Sequence, residues 1–158
     1  MNWDAIGAVG EMVGAFAVVI SLAYVAIQIR HNTAAVRVST RQDLLANQTA
    51  AQGVAAANPQ VAALWQRADD DYESLSPADK KQFTVFSLNM FNTFQSARFS
   101  HEADLLPDEV WEAWVRGYAA LIGSSAGVRR EWINLRELYT SNIRQVVDTI
   151  ISDYENPT

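Results

Sequence analysis

Apolar positions run almost unbroken near the start of the chain and then settle into helical spacing. From Ala5 to Ile27 the sequence reads AIGAVGEMVGAFAVVISLAYVAI, interrupted only by Glu11 and Ser21. A helix over those residues is about 34 Å long, against about 30 Å of bilayer hydrocarbon, so the run predicts a transmembrane span. No Lys or Arg precedes it and no small-x-small cleavage pattern immediately precedes Gln28, which favours a retained anchor over a cleaved signal. Beyond Ile27 there is no proline until Pro59 and only Gly53 as a breaker, so the same helix is expected to continue past the membrane.

The rest of the chain repeats one grammar, a capping residue or proline followed by a periodic apolar segment. Asn58 and Pro59 open a helix over VAALWQRA. Ser76 and Pro77 open one reaching about Ser100, Leu106 and Pro107 precede DEVWEAWVRGYAALI, and Thr140 or Ser141 can cap a final helix through Tyr154. The stretch GSSAG, Gly123 to Gly127, is expected to separate the third of these from VRREWINLRELY. Phe83, Phe86, Met90, Phe94 and Ala97 form one stripe, and Ile143, Val146, Val147, Ile150 and Ile151 another. Trp65, Trp111, Trp114 and Trp132 read as core for the same reason. No segment alternates as a strand does. The expected fold class is therefore all-α, an N-terminal transmembrane helix continuing into a cytoplasmic antiparallel helical bundle. Its parts are an anchor at 1–29, a juxtamembrane helix at 30–57 and a bundle at 58–158.

One face of the span is lined by small residues. Gly7, Gly10, Gly14, Ala17, Ser21, Tyr24 and Gln28 recur at heptad spacing, while Val13, Leu22 and Ile27 lie mainly elsewhere. Lipid offers little hydrophobic drive between helices, so close approach through glycine and alanine is what favours association, and the seam predicts a helix partner. Glu11 stands beside it, on the side of Gly7 and Gly14. Three readings of Glu11 are open: an interhelical hydrogen bond within an assembly, a side chain snorkelling to the outer surface, or an ion or proton site. Several copies around one axis would turn it into a ring of carboxylates, the chemistry of a cation-selective constriction.

Charge fixes an expected orientation. Met1 to Asp4 hold no basic residue, whereas Arg30, Arg37 and Arg41 follow the span, so the N-terminus is expected outside and the bundle in the cytoplasm. Trp3 would then lie at the outer interface. Residues 30–68 carry net +3 and belong beside anionic lipid headgroups, while residues 69–158 carry net −7. With 12 basic and 18 acidic side chains overall, nucleic acid is not an expected partner.

Chemistry finds little foothold. Zero cysteines exclude disulfides, thiolate metal sites and a cysteine nucleophile. His31 and His101 stand in no metal-ligand spacing. The acidic run Asp69, Asp70, Asp71 and Glu73 lacks the glycine and the twelfth-position glutamate of a calcium loop and reads as a solvated loop. GSSAG with Arg129 and Arg130 could hold an anion at a helix N-terminus, yet it lacks the G-K-[ST] ending of a phosphate loop and reads as a helix connection with two surface arginines. Glu109 and Glu112 complement a helix dipole. Ser100 beside His101 is adjacency only. No cofactor and no metal are expected, and the chain is not expected to be an enzyme.

The N-terminal segment WDAIGAVGEMVGAFAVVISLAYVAIQIRHNTAAVR resembles the opening pattern of a widespread family of short, uncharacterised bacterial single-pass membrane proteins, with Glu11, Gln28, Arg30, Asn32 and Thr33 at matching positions. NPQVAALW, LSPADKKQF, LLPDEVWEAW and RREWINLRELY are similar to its later helices. The resemblance implies an architecture and a bacterial inner membrane, and brings no activity with it. The function expected is a scaffold or accessory subunit acting through helix association with itself or with other membrane proteins. Two alternatives stand beside it, a homo-oligomeric pore or ion site built on a Glu11 ring and an enzyme whose pocket is unrecognised.

Overall fold

The computed structural model describes residues 3–156, with the side chains of residues 10–50, 53 and 56–156. It is all-α. Six helices follow in order among the described residues: α1 (Trp3–Ala57), α2 (Pro59–Asp71), α3 (Pro77–Glu102), α4 (Asp108–Ser124), α5 (Ala126–Leu135) and α6 (Ser141–Glu155), with short 3-10 turns at Tyr72–Ser74 and Arg136–Leu138. The continuation of the first helix past Ile27 is thus observed, as far as Ala57. The chain forms two compact units, Met1–Ser39 and Thr40–Thr158, whose boundary falls inside α1.

In the first unit every described side chain, 10 to 39, is exposed. The second unit holds the core. Leu44 is its contribution from α1, and the largest fully buried side chains are Trp132, Phe83, Phe91, Phe94, Leu64, Ile122 and Ile143. Each large apolar side chain removed from water there contributes about 1.5–3 kcal/mol before the cost of ordering the chain. α2 packs on α5, α4 on α6, and α3 on both α4 and α5.

Local signals set the helix starts. The Asn58 side chain accepts the Gln60 N–H, and Pro59 occupies the first turn, where its missing N–H costs nothing. Ser76 accepts from the Asp79 N–H in the same way ahead of Pro77. Pro107 and Thr140 occupy N-cap positions without a side-chain cap; the Thr140 N–H is met instead by Gln95 Oε1 at 3.4 Å.

Three sequence expectations shift. The α3 stripe is rotated: Phe83, Ser87, Phe91, Phe94 and Ala97 are buried, while Phe86 and Met90 lie half-buried at its edge. Asp69 to Asp71 form no loop, because they complete the last turn of α2. The GSSAG separator reduces to one residue, since Gly123 and Ser124 end α4 and α5 begins at Ala126. Ile143, Val147 and Ile150 are buried on α6, with Val146 and Ile151 half-buried, as the period of that stripe predicts.

Candidate functional site

Gly10, Gly14, Ala17, Ser21, Tyr24 and Gln28 all lie on the exposed surface of α1, among exposed Met12, Phe16, Ile20, Leu22 and Ile29. A Cβ built on Gly10 or Gly14 would meet nothing within 4 Å, so the small-residue face is open at both glycines. Trp3 and the side of Gly7 lie outside the described side chains. α1 is the one helix, among the described residues, long and apolar enough to cross a membrane.

Polar side chains of this helix bond back to its preceding turn. Ser21 donates to the Ala17 carbonyl at 2.8 Å, Gln28 Nε2 donates to the Tyr24 hydroxyl at 3.0 Å, and Thr33 donates to the Ile29 carbonyl at 2.9 Å. Such bonds to the preceding turn let hydroxyl and amide groups sit on an apolar helix without stranding a donor. Glu11 is exposed and makes no hydrogen bond with the described residues, the one polar side chain between 10 and 28 of which this holds. Arg30, Arg37 and Arg41 follow on exposed positions of the same helix.

The second unit contains a polar arrangement that the sequence did not announce. Glu131 on α5 is 1% exposed, and its partners are uncharged side chains: the Tyr72 hydroxyl, the Thr84 hydroxyl at 2.7 Å and Asn134 Nδ2 at 3.5 Å. Burial, then the bond to Glu131, pushes the Tyr72 phenol up to about 12, the reverse of an activated phenolate. The cluster therefore holds the turn after α2, and α3, against α5. Burial alone pushes Tyr139 up to about 12 and raises Tyr118 as well.

Helix ends account for the other charged groups singled out in the sequence. Asp69 Oδ1 accepts the Ser125 hydroxyl at 2.6 Å and the Gly127 N–H at 2.9 Å, while Ser125 Oγ accepts the Val128 N–H at 3.2 Å. The anion at the α5 N-terminus is thus the protein's own carboxylate. Arg129 is a capping residue, half-buried, donating to the carbonyls of Ile122 and Gly123 at the end of α4, with its guanidinium 4.4 Å from the Tyr154 ring. Arg130 pairs with Glu73 at 2.7 Å, and Lys80 joins the same carboxylate at 3.0 Å. Those two bonds hold Glu73 below its ordinary range.

Two grooves open on this unit. One, of about 440 Å³ between α5 and α6, is lined by Arg129, Arg130, Arg136, Trp132, Asp148 and their neighbours. The other, of about 570 Å³ between α4 and α6, is lined mainly by Val115, Ala119, Val146, Ile150 and Tyr154. In the first, Arg136 pairs with Asp148 at 2.7 Å and with Glu137 at 3.1 Å, and the Trp132 indole N–H donates to Asp148 at 2.8 Å. His101 Nε2 meets Asp108 at 2.8 Å, joining the end of α3 to the start of α4. Among the described residues no group of three or more His, Asp or Glu could hold a metal ion.

No protein-family model, no curated protein and no solved structure matches the chain.

Proposed function

We propose that the protein is a single-pass membrane protein of the bacterial inner membrane, with its N-terminus outside and the bundle in the cytoplasm, acting by helix association as a scaffold or accessory subunit. The observation that carries this reading is the complete exposure of residues 10–39, bulky apolar side chains included, on a helix long enough to span a bilayer. Left in water, each of Phe16, Ile20 and Leu22 would forgo about 1.5–3 kcal/mol of burial. Lipid removes that cost, and the open faces of Gly10 and Gly14 leave room for a second helix at close range. Arg30, Arg37 and Arg41 would meet anionic headgroups, each contributing about 1 kcal/mol near the surface. On this reading the chain carries out no catalysis of its own.

Native mass spectrometry from mild detergent, on wild type and Gly14→Leu, tests the association. Wild type should retain a partner that Gly14→Leu loses, and an unchanged complex would refute the seam. Orientation is read from single cysteines in this cysteine-free chain. In intact spheroplasts an impermeant maleimide should label Asn2→Cys and spare Ser124→Cys; the reverse pattern inverts the topology.

Glu11 favours a second reading. A carboxyl group with no bond to the described residues of its own helix is satisfied when neighbouring chains surround it, as in a ring of copies. A discrete homo-oligomer whose conductance in planar bilayers changes with Glu11→Gln, assembly intact, would establish the ring. Equal conductance of the two proteins would remove it.

A further inference from the structure

We draw no further inference here: the strongest candidate, the groove between α5 and α6 where Arg129, Arg130 and Arg136 converge, has each guanidinium already bonded to a carbonyl or carboxylate of the fold, and nothing in the structure shows what would fill it.

Discussion

Two glycine-to-alanine substitutions should move stability in opposite directions. A Cβ on Gly127 would lie 2.9 Å from the backbone carbon, the oxygen and the Cβ of Ala68, where α5 crosses α2. Ordinary contact begins near 3.4 Å, so the helices must part by about half an ångström in a core packed as densely as a crystal. The atoms in the way are backbone and a Cβ, on the same helix as buried Val61 and Leu64, and no rotamer change relieves them. Overpacking of this kind costs about 1–3 kcal/mol, and a longer gap would also weaken the bond from the Gly127 N–H to Asp69. Gly117 is the control. It sits on the exposed side of α4, where a Cβ meets nothing within 4 Å, so Gly117→Ala should gain about 0.8–1 kcal/mol of helix propensity. The two variants should therefore differ by about 2–4 kcal/mol. Guanidinium unfolding in mild detergent, followed by tryptophan fluorescence, reads this directly, because Trp65, Trp111, Trp114 and Trp132 all belong to the unit Thr40–Thr158. A Gly127→Ala midpoint at or above wild type would refute the close crossing, and a downward Gly117→Ala shift would refute the open space at Gly117.

Other substitutions probe separate parts of the bundle. Asp69→Ala removes the acceptor shared by Ser125 and Gly127 and should cost about 1–2 kcal/mol, with Asp69→Asn costing less; equal losses in the same unfolding assay would mean that the charge alone matters. The Ser87 hydroxyl is buried without a hydrogen-bond partner among the described residues. Ser87→Ala should stabilise by about 0.5–2 kcal/mol, and a thermal midpoint below wild type would show that the hydroxyl is satisfied after all. At Asp148 burial raises the pKa, but the bonds from Arg136 and Trp132 outweigh it and hold the carboxyl below its ordinary 3.8. A depressed carboxylate contributes stability that is present above the unfolded value and is lost as pH falls through the lower folded one. Asp148→Asn should accordingly flatten the decline in thermal midpoint below about pH 4, and an acid limb as steep as wild type would contradict that assignment.

What the sequence made legible was local. Asn58-Pro59 and Ser76-Pro77 announce their helices because the capping acceptor lies two or three residues from its donor. The α6 stripe was readable because Ile143, Val147 and Ile150 share one face of a short helix. Asp69 and Glu131 were not readable. Asp69 stands in an acidic run, and its role depends on Ser125 and Gly127, 56 and 58 residues away. Glu131 follows two arginines as a surface acid would, yet its donors are Tyr72 and Thr84, at separations of 59 and 47. The α3 stripe was off by part of a turn because Phe83, Phe86, Phe91, Phe94 and Phe99 nearly surround the helix, so composition left the inward direction to be set by α4 and α5. The spacing of small residues on α1 was legible for the same reason as the caps, since it lies within one helix, and the structure leaves those described positions exposed.

The rings between α3 and α4 give this bundle an optical signature. His101, Trp111, Phe94, Tyr118 and Trp114 form one run of near-parallel rings, with neighbouring centroids 4.3–5.8 Å apart and planes within 22° of each other. Chromophores held that close and that aligned couple their transitions, and near-UV ellipticity is the signal that vanishes first when tertiary packing loosens while helices persist. Three of its four steps cross between the two helices, and only Tyr118–Trp114 lies within α4, so a slip of α3 along α4 would break the coupling at three steps at once. Circular dichroism in the aromatic region can therefore follow the register of that helix pair apart from the helical content of the chain.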